Sequence, residues 1–255
     1  MKVINITNFN IFEQTIASIL KLVPQAKLSF NSNGMNIHVK VDNQYRASVF
    51  SNSADCTEDV SFCFNNIASF YSILKLIKTD HKKTVPEIEM GYDNTFLHIK
   101  CKNLKTRLIT VKEEIVQSNV AKQVDMPLTP VLEFKTSSDL IKTIMSNSFI
   151  FTDKNESRIY LNQHPDLQKN TIYAEVTNKN AKLSNIITTK LGDITLGKLE
   201  QDLIIDFKRL EIINLFKSDE ITVQLMDKPV LVTNLALTDK EHFSKFTIYV
   251  LLRKN

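Results

Sequence analysis

The side chains that most often carry out catalysis are scattered through this sequence. Its five histidines follow no metal-ligand spacing, so no metal site is predicted. Two carboxylate pairs, Glu87 with Glu89 and Glu113 with Glu114, lie on or near predicted strands, where we interpret them as solvated edges. Neither a glycine-rich phosphate loop nor a G-x-S-x-G nucleophile turn occurs. Nothing in the sequence favours an enzyme, and we expect no catalytic residue and no cofactor.

The three cysteines point to packing rather than to chemistry. Cys56, Cys63 and Cys101 form no C-x-x-C pair, a usage that fits a reducing compartment, and we expect them to be small buried hydrophobic residues. No stretch reaches the roughly 18–20 apolar residues of a membrane span, and the N-terminus lacks a signal-peptide pattern. We therefore expect a cytoplasmic protein with no membrane partner.

Composition leaves nucleic acid open as a partner. The 255 residues are 43% hydrophobic, which is ample for one large or two medium domains. The net charge of +4 permits contact with nucleic acid without establishing it. The decisive question is whether the positive charges collect on one surface.

Four segments show helical periodicity and would position those charges: 10–25, 66–79, 137–148 and 206–217. Three of them have an apolar stripe opposite small polar residues and lysine, whereas the fourth has no clean amphipathic pattern. The apolar stripes of the first two contain Phe12, Ile16, Ile19, Val23, Ile67, Phe70, Leu74 and Ile77. An ordinary solvated helix surface explains any single case, but the recurrence suggests one shared face suited to sequence-independent phosphate contacts.

The sequence reads as a duplicated unit. Residues 8–115 and 131–255 each run helix, strands, helix, strands, and 62–75 aligns with 203–215 across one gap. Strands of antiparallel type fill the intervals, with Asn33-Gly34 and Asp93-Asn94 as turns. Between the halves, 116–130 has no clean period and contains Pro127 and Pro130, so we interpret it as a connector. The pattern predicts an α+β fold.

Several motifs, in this order and at this spacing, resemble the DNA sliding clamps, a family that includes proliferating cell nuclear antigen and the clamps of T-even-like phages. They are 32–37, 66–75, 190–194 followed by 203–206, 228–232 and 249–254. The pair 190–194 and 203–206 resembles the phage form especially. The resemblance implies two similar clamp domains, 1–115 and 131–255, joined by the connector 116–130. Antiparallel sheets would lie outside and two helices per domain would line an inner face.

The resemblance also implies a function without chemistry. The chain would form a homotrimeric ring around double-stranded DNA, independent of sequence, and would act as a processivity factor in DNA replication that tethers the replicative polymerase. A clamp loader would be a further partner. A viral or phage source is our expectation from the phage-like motifs and the abundance of Asn, Lys and Ile, and the protein would then be located in the host cytoplasm or nucleoid.

Candidate site residues follow from the helix patterns and from the resemblance. The cations expected to face DNA are Lys21, Lys75, Lys78, Lys82, Lys83, Lys142, Lys208 and Arg209. The resemblance places a partner-binding pocket at Val41, Tyr45, Val124, Met126, Pro229, Tyr249, Leu251 and Leu252. Subunits would pair through strand edges at 105–112 and 182–190, and the interface residues are Thr106, Leu108, Thr110, Leu183, Asn185 and Ile187.

Two other functions remain open at this stage. A clamp-fold processivity subunit could bind DNA as a monomer or dimer through a basic face. A β-rich viral structural or assembly protein would have no DNA role.

Overall fold

A computed structural model describes residues 1–80, 86–102, 104–121, 127–148, 157–163, 170–178, 186–200, 202–205, 207–214 and 218–252. The first half contains β1 (Lys2–Ile6), α1 (Phe9–Leu22), β2 (Ala26–Asn31), β3 (Gly34–Lys40), β4 (Tyr45–Ser51), β5 (Ala54–Asp55), β6 (Val60–Phe64), α2 (Ile67–Asp80), β7 (Glu89–Tyr92), β8 (Phe96–Cys101), β9 (Leu104–Ile109) and α3 (Glu113–Val116). The second half contains β10 (Pro130–Thr136), α4 (Ser138–Ser148), β11 (Ser157–Asn162), β12 (Thr171–Asn178), β13 (Ile187–Gly197), β14 (Leu203–Ile205), α5 (Phe207–Asn214), β15 (Ile221–Met226), β16 (Val230–Asp239) and β17 (His242–Leu251). Both halves therefore repeat one order of strands and helices, as the duplication predicts.

The chain divides into two compact units. Unit 1 comprises Met1–Val124 and Ala236–Thr247, and unit 2 comprises Asp125–Leu235 and Ile248–Asn255. Unit 1 has one sheet of order β5-β1-β7-β8-β9 and another in which β17, β4, β3, β2 and β6 are successive neighbours. In unit 2 the order is β14-β11-β12-β13-β10-β15-β16-β17. Every register given for these sheets is antiparallel, for example His38 opposite Ser48.

Helix α1 forms where its apolar period and its caps agree. The side chain of Asn8 accepts a hydrogen bond from the N–H of Ile11, which caps the first turn. Val23 is extended (φ −145°, ψ 146°) because the following Pro24 disfavours helical backbone at that position. The predicted apolar stripe is fully buried, and Ser18, which lies outside that stripe, is buried as well.

Helix α2 packs beside α1 in unit 1. The side chain of Asn66 caps it by accepting the N–H of Ala68 at 3.0 Å. The rings of Phe12 and Phe70 meet edge to face, 6.1 Å apart, and Phe70 stacks on Phe64 of β6. The buried stripes of both helices therefore share one core with the sheets.

The helices of unit 2 show why the fourth pattern looked irregular. Ser137 caps α4 through the N–H of Leu140, while the hydroxyl of Ser138 accepts the N–H of Ser218. In α5, Leu210, Ile212 and Ile213 are all buried. Since this short helix buries more than one side, its sequence has no clean polar face.

Several elements differ from the sequence-based expectations. The strands β5 and β10 and the short helix α3 were not predicted. The strand that the sequence pattern predicts at 185–191 is longer, because β13 continues to Gly197. Helix α5 ends at Asn214 in the described chain; residue 206 and residues 215–217 lie outside the described residues.

All three cysteines are buried and unpaired, as expected, and burial raises the pKa of the Cys63 thiol to about 11.

Gly192 lies where β13 gains its second neighbouring strand. Pairing with β12 runs from Ile187 to Asp193, and pairing with β10 begins at Asp193 and continues to Gly197. A Cβ at Gly192 would lie 2.0 Å from the carbonyl oxygen of Lys135 in β10. Only a residue without a side chain allows the two strands to approach this closely.

We therefore expect Gly192→Ala to lower the free energy of unfolding by roughly 1–3 kcal/mol, because backbone has to move. Gly91→Ala is the matched control: its new Cβ would meet the exposed, flexible side chain of Met1 at 3.0 Å, so its effect should be small. Urea unfolding midpoints measure both changes. Equal midpoints for the two variants would contradict the assignment of Gly192 as a close-contact site.

Candidate nucleic-acid interface, partner surface and strand edges

The exposed side of the two helices in unit 1 is mostly polar. Its exposed residues are Asn10, Gln14, Lys21, Ser69, Ser72, Lys75, Lys78 and Thr79, together with one large apolar side chain, Leu76. These positions recur at helical spacing opposite the buried stripe, so the core contacts of α1 and α2 determine which side chains face outwards. Lys21 and Lys75 supply positive charge among short polar side chains.

An ion pair that sequence patterns did not indicate links the two helices. The Nζ of Lys78 in α2 lies 2.7 Å from the Oε2 of Glu13 in α1, and the Glu13 side chain is only 5% exposed. Burial, the charge of Glu13 and a hydrogen bond to its carboxylate raise the pKa of the Tyr71 hydroxyl. Glu13 thus receives two donors from α2, whereas Lys75 has no ion-pair partner within the described residues.

The helices of unit 2 carry a different kind of pair. The Nζ of Lys142 lies 3.0 Å from Asp139 one turn earlier, and both side chains are exposed. For Lys208 and Arg209 the structure describes the helical backbone alone, and Lys82 and Lys83 lie outside the described residues. Of the eight predicted cations, the structure therefore describes the side chains of four: Lys21, Lys75, Lys78 and Lys142.

A small apolar surface in unit 2 contains part of the predicted partner pocket. Met226, Val230 and Val232 form a buried cluster, and the partly buried side chains of Leu128 and Tyr249 pack against it. Burial raises the pKa of the Tyr249 hydroxyl. Leu251 follows Tyr249 on β17 and is about half exposed.

Backbone hydrogen bonds hold the rim of this surface in place. The N–H of Leu252 donates to the carbonyl of Pro229 at 2.8 Å, and the N–H of Asp227 donates to the carbonyl of Thr129 at 2.9 Å. The turn at 227–229 therefore contacts both the end of the connector and the C-terminal strand.

The other predicted pocket residues are not part of this surface as described. Val41 and Tyr45 belong to unit 1, where Tyr45 is buried and its carbonyl accepts the N–H of Val41 at 3.0 Å. Val124 and Met126 lie outside the described residues.

Two strands present open edges. β9 is the last strand of its sheet among the described residues, and Ile109 is 68% exposed. Residues 187–190 of β13 pair with β12 on one side, and no described strand pairs with them on the other. Thr106, Leu108, Thr110 and Ile187 lie on or beside these edges, whereas Leu183 and Asn185 lie outside the described residues.

In the part of the chain that the structure describes, no helix is long and apolar enough to cross a membrane. Among the same residues, no three His, Cys, Asp or Glu side chains come together in a group able to hold a metal ion.

Comparison with solved structures defines the fold. No protein-family model and no curated protein matches the sequence. The chain is similar to A. fulgidus PCNA, solved with the C-terminal region of FEN-1 bound, at 14% identity and a TM-score of 0.70 over 99% of both chains. It is also similar to proliferating cellular nuclear antigen from Entamoeba histolytica (15%, TM-score 0.69, 100% of both chains) and to PCNA from Thermococcus kodakaraensis (13%, TM-score 0.67, 99% of both). The protein thus has the two-domain α+β sliding-clamp fold, as predicted.

Proposed function

We propose that this protein is a DNA polymerase processivity factor: a homotrimeric ring that encircles duplex DNA and tethers the replicative polymerase, without chemistry of its own. The observation that carries the proposal is the clamp fold over the whole length of the chain. A clamp loader is a further partner in this proposal. The phage-like motifs at 190–194 and 203–206 make a viral source part of it.

The open strand edges support assembly from identical chains. Within the chain, β17 lies beside β4, and the repeat relates β17 to β9 and β4 to the first half of β13. If the same pairing forms between chains, β9 of one copy adds to β13 of the next. Head-to-tail pairing of this kind forms a ring when the rotation from one copy to the next closes after a whole number of copies.

The backbone of β9 is oriented for such pairing. The N–H of Thr110 donates to the carbonyl of Thr95 beside β8. Because hydrogen-bonded and outward-facing residues alternate along an antiparallel strand, the N–H groups of Ile109 and Arg107 point away from β8. Each edge also has an exposed isoleucine: Ile109 lies on β9, and Ile186 lies beside β13.

The helix faces support a sequence-independent DNA contact. Lys75 and Lys142 are exposed among serine and threonine side chains, which suits phosphate oxygens rather than base edges. The apolar surface of unit 2 suits a partner protein, because partly buried Tyr249 packs against a buried cluster and Leu251, two residues further along β17, is about half exposed.

A threading experiment tests the ring. Linear duplex tethered at one end to a bead is incubated with the protein, and the free end is then blocked with streptavidin or left open. A ring should survive a high-salt wash only on blocked DNA, and restriction cutting should release it. Equal retention on blocked and open DNA would favour the monomeric or dimeric DNA binder instead.

The same experiment identifies the assembly edge. Arg107→Pro removes an outward N–H at an edge where proline leaves the sheet intact, so retention on blocked DNA should be lost. Light scattering should give 29.2 kDa for this variant and about 88 kDa, three chains, for the parent. Arg107→Ala keeps the N–H and is the matched control; loss of assembly in both variants would contradict the pairing.

Reversing charges on the helix faces should weaken DNA association. The double variant Lys75→Glu with Lys142→Glu removes two proposed phosphate contacts, so the negative slope of log K against log salt should become shallower by about 1.8. Lys100→Glu with Lys198→Glu makes the same change in net charge away from the helices and should have little effect. Equal losses in both doubles would mean that only net charge matters.

Truncating the partner surface should affect the polymerase alone. Tyr249→Ala with Leu251→Ala should weaken binding of the replicative polymerase by at least about tenfold while threading stays normal, because aromatic anchors dominate such contacts. Val131→Ala with Leu196→Ala removes exposed apolar side chains elsewhere in unit 2 and serves as control. Unchanged polymerase affinity in the first double would place the partner surface elsewhere.

A further inference from the structure

We infer that Glu13 sets the charge of the helix face in unit 1 by holding Lys78 in an ion pair, so that Lys78 does not act as a phosphate contact. The inference deepens the proposed function and rests on it, because it concerns the face assigned to DNA. It separates two lysines that lie three residues apart on one helix: Lys75 contacts phosphate, and Lys78 ties α2 to α1.

The geometry of the pair keeps the ammonium group of Lys78 bound to Glu13. Its Nζ lies 2.7 Å from Oε2 of Glu13, whose side chain is 5% exposed, while the lysine side chain is 45% exposed. Water cannot reach the Glu13 carboxylate well enough to replace the ammonium group. Since an unpaired buried carboxylate is strongly disfavoured, the ammonium stays with Glu13 when a phosphate approaches.

The pair in unit 2 shows that burial, not pairing, makes the difference. Lys142 also contacts a carboxylate, but the side chain of Asp139 is 89% exposed. Water solvates Asp139 when the lysine moves away, and exposed pairs of this kind contribute little. Lys142 can therefore exchange its carboxylate for a DNA phosphate, whereas Lys78 cannot.

The consequence is a helix face with less positive charge than its lysines suggest. A phosphate near Lys78 meets a neutral pair, so no counterion is released there. Removing the Glu13 charge frees one cation, and DNA association should then strengthen. A purely structural role for Glu13 predicts no such gain.

The experiment compares Glu13→Gln with Glu13→Gln/Lys78→Gln by fluorescence anisotropy of a labelled linear duplex between about 50 and 200 mM salt. Glu13→Gln should steepen the slope of log K against log salt by about 0.9, so that affinity falls about threefold more across this range. The double variant should keep the parent slope, because the pair it removes is neutral. Tyr71→Phe, which removes a donor to Glu13 without changing charge, should also keep the parent slope.

Three results would overturn the inference: a parent-like slope for Glu13→Gln, a slope shallower by about 0.9 for the double variant, or a changed slope for Tyr71→Phe. If Glu13→Gln alone fails to fold, as circular dichroism would show, the double variant decides. Lys75→Glu tests the underlying proposal separately. An unchanged slope for Lys75→Glu would reject the DNA face itself, whatever Glu13 does.

Discussion

Unpaired backbone at strand edges is the constraint on which the arrangement of this molecule depends. Every sheet ends in N–H and C=O groups that need water or another strand. The chain covers one unpaired stretch itself: β3 pairs with β2 through residues 34–36, and backbone hydrogen bonds of Lys40 and Ala121 lay residues 119–121 along its later part. It leaves β9 and the start of β13 open in the described part of the chain. Exposed isoleucines on or beside these edges, where isolated proteins usually place charges or proline, are consistent with further chains covering them.

Because α1 and α2 bury one side each, both helices also present an outward side. Because Phe12 and Phe70 meet in the core of unit 1, the remaining sides of α1 and α2 face outwards together. The polar character of that side thus follows from the same periodicity that makes the core. Unit 2 repeats this arrangement of two adjacent helices, because α4 packs beside α5 there. A face built this way can be sequence-blind, because short polar side chains and lysines reach phosphates but present no fixed pattern to base edges.

Local signals predicted much of the fold and little of the electrostatics. Periodicity and capping residues located α1, α2 and α4 to within a few residues, because those helices have one apolar stripe and a clear first turn. The strand β10 was missed because Pro127 and Pro130 mark its approach as irregular chain. The pair of Glu13 and Lys78 was missed because the two residues are 65 positions apart, and only tertiary packing buries the carboxylate between the helices. No spacing within α1 distinguishes a buried glutamate from a solvated one.

In the proposed ring, strand pairing between chains contributes more than the lysines to the time that the protein stays on DNA. Non-specific binding by a few lysines has a dissociation constant of about 10⁻⁵ M, and steered association proceeds at about 10⁸ M⁻¹s⁻¹. Their product is a dissociation rate of about 10³ s⁻¹, so lysines alone would hold the protein for only about a millisecond. A closed ring leaves circular DNA only when an interface between chains opens, and that rate depends on strand pairing rather than on phosphate contacts. In the proposed ring, the edges at β9 and β13 would therefore govern residence on DNA, and the charge on the helix faces could stay low enough to permit sliding.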